Sequence, residues 1–245
     1  MAYYIGLDVG TTTVKALLIN SSGKILAEAS REYPLSCPQP LWSEQNPEDW
    51  WQGSIACISE LVKEAGQEKI IGIGLSGQMH GLVLLDAIGN ILRPSILWND
   101  QRTAVECTEI TDTIGFERLM EITGNPVLPG FTAPKLAWVR KHEPAIYDNI
   151  ARILLPKDYI RYRLTGEFAT DVSDASGTAW LNVKKRNWSR KILDQLEISM
   201  DWMPRVYESS DITGYICPEA ATFPGLEETT FVVGGGGDQA AGGVG

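Results

Sequence analysis

A chain of 245 residues that is 44% apolar, 21% charged and 9% aromatic can bury a core without disulfide or metal staples, which excludes a disordered, collagen-like or coiled-coil polypeptide. Its 21 Lys and Arg against 31 Asp and Glu leave a net charge of −10, which repels phosphate backbones and anionic lipid and argues against nucleic acid or a membrane as partner. A small anionic ligand stays open, because backbone N–H groups and a divalent cation hold phosphates without basic side chains.

In chain order, residues 3–9 and 14–20 are apolar runs and residues 24–31 alternate weakly after the turn signal Ser21-Ser22-Gly23, which predicts a three-stranded antiparallel meander. Asn46 as cap, Pro47 at the first helical position and Glu48 and Asp49 in the first turn predict a helix running through residues 50–65. Residues 69–75, short and rich in Ile, read as a buried strand. Residues 81–86 and 91–97 read as a hairpin, and 104–114 and 116–122 as short helices. Further helices are expected over 132–142, 157–164 and 188–196, and strands over 152–155 and 230–233, with 204–229 mostly loop. No repeat or low-complexity linker divides the chain, so one unit over 1–245 is expected. The glycines at 234–237 follow a strand, and the small residues at 240–245 look like the start of a helix, so a continuation packing on this end is expected.

Cys37, Cys57, Cys107 and Cys217 are scattered, with no Cys-x-x-Cys pair and two histidines in all; buried reduced thiols are expected and no zinc site is legible. The first twenty residues lack a basic region and carry Asp8 within the apolar run, so neither signal peptide nor anchor is expected, and no apolar stretch nears the ~20 residues that span a bilayer. A cytoplasmic protein is expected, its oligomeric state open, a homodimer included.

Three constellations can carry chemistry. In Asp8-Val9-Gly10-Thr11-Thr12-Thr13-Val14-Lys15 an acid at a strand end precedes a tight glycine turn with three hydroxyls. This is an ordinary hairpin turn or a phosphate cradle whose Asp8 holds Mg²⁺ through water. In Gly234-Gly235-Gly236-Gly237-Asp238, four glycines are a plain linker or a backbone kept clear for a substrate beside a carboxylate. In Ser76-Gly77-Gln78-Met79-His80-Gly81, polar groups end a buried strand, where ligands sit in open α/β sheets, so Gln78 and His80 are candidates for a polyol, against a structural histidine.

Together these segments resemble the FGGY family of carbohydrate kinases, of the actin and sugar-kinase superfamily. The family's first signature appears at Gly130-Phe131-Thr132-Ala133-Pro134-Lys135-Leu136-Ala137-Trp138-Val139. Pro40-Leu41-Trp42-Ser43-Glu44-Gln45-Asn46-Pro47, Trp98-Asn99-Asp100-Gln101-Arg102, Leu155-Pro156-Lys157-Asp158-Tyr159 and Ser173-Asp174-Ala175-Ser176-Gly177-Thr178 look like its pentulose kinases. The resemblance implies an α/β, ribonuclease H-like lobe with a mixed five-stranded sheet flanked by helices, and a second, nucleotide-binding lobe that lies outside this chain. It implies ATP, with Mg²⁺, as co-substrate for phosphorylating D-xylulose at its 5-position, or else another ketose or polyol such as ribulose, glycerol or gluconate. A sugar-binding module without catalysis is the alternative of a different class. By the resemblance Asp238 is the general base, Asp8 organises Mg²⁺ and the phosphates, and Gly10, Thr11, Thr12 and Thr13 cradle them, with Lys15 and Gly237 beside them. Met79 and His80 contact the sugar, and Gln78, Trp42, Asn99, Asp100 and Arg102 extend its site. For these last, the open readings are that Trp42 is a core residue and that Asp100 with Arg102 is a structural ion pair.

Overall fold

The computed structural model describes residues 2–223 and 226–244. Its framework starts with β1 (Ala2–Val9), β2 (Thr13–Asn20) and β3 (Ile25–Glu32), an antiparallel meander in which Asp8 faces Lys15 across the ladder. Alternation decides which face is covered: Ile5, Leu7 and Val9 of β1 and Val14, Ala16 and Leu18 of β2 are buried. Over that face lies α1 (Pro47–Ala65), started by the Asn46 side chain accepting from the Glu48 N–H and by Pro47 in the first turn. Its buried residues Trp50, Ser54, Cys57, Ile58, Leu61 and Ala65 recur at helical spacing, so one stripe meets the sheet.

The chain then enters β4 (Lys69–Gly77), which pairs parallel to β1, and β5 (Val83–Leu85). A helical region follows, with α2 (Ala104–Ile114), α3 (Phe116–Thr123) and α4 (Thr132–His142). It forms a second hydrophobic core around Ile110, Leu119, Leu136, Val139 and Trp180, separate from the one between α1 and the sheet. Next, β6 (Arg152–Leu154) pairs with β5, and α5 (Pro156–Thr165) returns to α1, where Arg163 bonds Glu48 at 2.6 Å and lies over the Trp51 ring. The sheet is completed by β7 (Ile212–Tyr215), β8 (Phe231–Val233) and β9 (Gly236–Gly237), after which α6 (Asp238–Val244) begins.

The sheet runs β7-β8-β4-β1-β2-β3, with β9 also on β4, so it is mixed as expected but has seven strands rather than five. The two extra ones are β7, an edge strand inside the stretch read as loop, and β9, two glycines with no strand propensity. The hairpin over 81–97 closes only by bridges, Leu85 with Ile91 and Leu82 with Ile96, because β5 takes β6 as its ladder partner. All four cysteines are free, but only Cys57 and Cys107 are buried as expected; Cys217 is half-buried and Cys37 exposed.

Candidate functional site

The carboxyl ends of β1, β4 and β9 lie side by side: Asp8 is in register with Ser76, and Ser76 with Gly236. Two carboxylates thus leave strand ends on either side of β4, Asp8 from β1 and Asp238 just past β9, which is where open α/β sheets place ligands. The Ser76 hydroxyl donates to Asp8 Oδ1 at 2.6 Å. A cleft of about 1390 Å³ starts here at Asp8, Ser76, Ser173 and Gly236 and runs along the sheet past Lys15 to Ile19 and Glu28; Asp238, Met79, His80 and the turn at residues 10–13 lie outside its lining.

The turn after Asp8 is tight, the Gly10 N–H donating to the Thr13 carbonyl at 3.0 Å. Its carbonyls are drawn inward. Tyr33 and Gln78 donate to that of Gly10, and Gln45 donates to that of Thr11 at 2.6 Å. Gln45 in turn accepts from the Trp50 indole at 3.0 Å. Thr11 Oγ1 accepts from the Trp98 indole at 3.0 Å, Thr12 is exposed, and Thr11 and Thr13 are half-buried. Gln78 is 1% exposed, so its amide braces this turn from below, while Lys15 stands in solvent on β2.

Met79 and His80, both half-buried, cross from the sheet to the helical region. His80 has φ 68°, a left-handed conformation uncommon outside glycine, and its surroundings hold it there. Its carbonyl accepts from Lys135 Nζ at 2.7 Å and Thr132 Oγ1 at 3.2 Å, and its ring stacks on Phe131. Nδ1 lies 2.8 Å from the Gly177 carbonyl. Burial, then the Lys135 charge, push the His80 pKa down to about 4 against that carbonyl's pull, so the ring is neutral near pH 7. Because a carbonyl can only accept, the Nδ1 nitrogen carries the proton, and Nε2 is left as an acceptor.

The glycines before Asp238 are required by close approach. Gly235 has φ 69°, and a Cβ there would sit 2.0 Å from the Leu75 carbonyl oxygen; one on Gly237 would sit 2.5 Å from Met79 Cγ. Gly237 itself therefore lies against the Met79 side chain, one residue before Asp238. Asp238 is half-buried, and burial, with the negative charge of Asp8 and against the Gln239 N–H, raises its pKa above the ordinary carboxylate value.

Asp100 and Arg102 form a buried pair: the Arg102 Nη2 is 2.7 Å from Asp100 Oδ2, with side chains 0% and 1% exposed. The guanidinium also reaches Glu44 at 2.8 Å and lies 3.6 Å from the Trp42 ring centroid. Asp100 further accepts from the Ser43 N–H at 2.6 Å. These four side chains lock the loops at residues 42–44 and 99–102 together. Asn99 differs, since its buried Oδ1 has no hydrogen-bond partner.

Sequence reading passed over a buried charge cluster behind the glycines. Lys157 Nζ bonds Asp158 at 2.7 Å, pairs with Asp171 and lies 3.4 Å from Asp174; Arg161 bonds Asp158 at 2.6 Å and the Gly234 carbonyl. These charged side chains are all 0% exposed. Two cations face three carboxylates, and burial, together with Asp158 and Asp171, raises the Asp174 pKa to about 8 despite Lys157, leaving it protonated near pH 7. Asp171 is held below its usual range because Lys157 and Ser173 outweigh burial. On a helix such charges normally read as a solvated face; the one sequence hint is their place between apolar Leu155, Ile160 and Leu164.

A ribonuclease H-like sheet with an acid-led turn and a second carboxylate on the strand ends that flank β4 defines a lobe of the sugar-kinase and actin type. Residues 3–245 match the model of the FGGY family of carbohydrate kinases, N-terminal domain, and the chain belongs to that family. It is 50% identical to a xylulose kinase of Escherichia coli (strain K12) over 242 residues, covering 99% of this chain and 49% of that protein. The xylulose kinase structure from Rhodospirillum rubrum superposes with TM-score 0.95 at 33% identity, covering 99% of this chain and 50% of that one. A gluconate kinase structure from Lactobacillus acidophilus gives TM-score 0.91 at 29% identity, covering 97% and 48%. The chain spans about half the length of the curated relatives it matches.

Proposed function

We propose that this chain is the sugar-binding lobe, carrying the catalytic base, of a kinase that phosphorylates D-xylulose to D-xylulose 5-phosphate with ATP. The observation that carries the reading is the placement of Asp238, its pKa raised by burial and the Asp8 charge, directly after Gly237, which lies against Met79. A base works best with a pKa moved toward the working pH and with the reacting proton in reach. The sugar's terminal hydroxyl oxygen forms a bond to the γ-phosphorus, its proton passes to Asp238, and the bond to the bridging oxygen breaks with its electron pair leaving on ADP. Gly10 to Thr13 receive the phosphates, with Lys15 at the cleft edge. His80 Nε2 accepts one sugar hydroxyl and the Asn99 Oδ1 another, so a ligand lacking either leaves a buried acceptor unpaired.

Among the described residues no three His, Cys, Asp or Glu side chains converge on a metal position. The donors fit Mg²⁺ held by Asp8 through water and by phosphate oxygens, and the ion when bound supplies charge neutralisation at the phosphates. We further propose that the second half present in the relatives supplies the nucleotide clamp, and that the protein works in the cytoplasm.

The test is ADP release by the full-length protein with ATP and D-xylulose, L-ribulose, gluconate or glycerol. The highest kcat/KM is expected with D-xylulose, and Asp238→Asn should cut kcat about 10²- to 10⁴-fold while D-xylulose affinity stays within about twofold. Preference for another sugar would overturn the substrate, full turnover in the variant would overturn the base, and no ADP with any sugar would leave a binding module.

A further inference from the structure

The segment that delivers Asp238 has no side chains of its own over residues 234–237, so its course is imposed from outside. Its first half is tied by backbone, Gly234 N–H to the Asp211 carbonyl at 2.9 Å and Gly235 N–H to the Ser209 carbonyl at 2.8 Å, and by Arg161. Its second half is laid on β4 as β9, Gly236 against Ser76 and Gly237 against Gly77, and meets one side-chain hydrogen bond among the described residues, from the Gly237 N–H to Ser173 Oγ at 3.2 Å. The direction of that bond is fixed. Ser173 Oγ gives its only proton to Asp171 Oδ1 at 2.7 Å, so a lone pair faces Gly237. Asp171 Oδ1 also accepts the N–H groups of Ser173 and Asp174, at 2.9 and 3.1 Å, and its other oxygen pairs with buried Lys157. A rigid line thus runs from Lys157 through Asp171 and Ser173 to the peptide preceding Asp238.

We propose that Ser173 is a positioning residue for phosphoryl transfer, setting the Gly237 peptide and with it the aim of the Asp238 carboxylate and the gap to Met79. The inference rests on the kinase reading above. In this role Ser173 acts through Gly237, which its Oγ holds. Its loss lets the peptide drift, and a base misplaced by about 1 Å costs up to ~10²-fold in rate while ground-state sugar contacts at His80 persist.

The experiment compares Ser173→Ala and Ser173→Thr with the wild-type full-length protein. In the alanine variant kcat should fall about 10- to 100-fold with the sugar KM within about twofold. The threonine variant, which keeps the hydroxyl, should recover most of the rate. In the same samples, amide exchange of the peptide covering residues 234–244 should quicken about 10-fold in the alanine variant and stay near wild type in the threonine variant. Undiminished kcat or unchanged exchange in S173A, or equal loss in both variants, overturns the proposal. Should S173A fail to fold, Ser173→Cys, of similar volume and weak as an acceptor, takes its place with the same expectations. A wild-type protein that phosphorylates no sugar would sink the kinase reading, and the exchange comparison would then decide the positioning claim alone.

Discussion

At the residue scale the buried charges behind the base behave as one unit. Lys157 and Arg161 balance two of three carboxylates, and Asp174 is the one that keeps its proton, its pKa raised from 3.8 to about 8. A raised acid stabilises the fold most below pH 4 and loses that contribution as pH climbs to about 8, since the unfolded chain has already given up the proton. Asp174→Asn mimics the protonated form at every pH. Its thermal midpoint should therefore climb relative to wild type between pH 5 and pH 8, by at most ~1.4 kcal/mol per unit, and level off above. Thermal melts across that range check it; a difference independent of pH would mean that Asp174 is ionised in the fold. Sequence did not expose this cluster, because burial of Lys157 and Asp158 depends on partners at Asp171 and Asp174. Asp8, Gln78, His80 and Asp238 were readable as candidates because each stands within two residues of a glycine at a strand end, whereas Met79 came from the family resemblance alone.

At the element scale, what could be read locally was read. The meander followed from alternation and the Ser21-Ser22-Gly23 turn, and α1 from Asn46 and Pro47, because cap and turn chemistry act over a few residues. β7 escaped because Ile212 and Tyr215 of this edge strand are exposed and its antiparallel partner β8 lies many residues on. β9 escaped because Gly236 and Gly237 carry no side-chain signal and pair only because β4 presents an edge beyond β8. The close passage of Gly235 over Leu75 makes that junction intolerant. Gly235→Ala should cost about 2–4 kcal/mol, from a left-handed alanine plus a backbone overlap, measured by urea unfolding. Wild-type stability in that variant would show that the strand ends can part freely.

At the scale of the whole molecule, the candidate sugar site joins two hydrophobic cores. Met79 follows β4 from the sheet core, while Phe131, Lys135 and Gly177, which hold His80, belong to the helical side. A sugar seated there ties the two together, so ligand binding should appear as stability of the whole. At 100 times its dissociation constant D-xylulose should add about 2.7 kcal/mol, or roughly 5–10 °C in the melting midpoint as one transition. A sugar that split the melt in two would mean that it holds one core only. The bridge between sheet and helical region also contains Trp98, whose indole is bonded to Thr11. Of the eight tryptophans it alone is exposed, at 46%, the others being buried or half-buried. The long-wavelength part of this chain's fluorescence therefore originates at the turn after Asp8, and its colour and quenching register whatever occupies that turn, without any label being added.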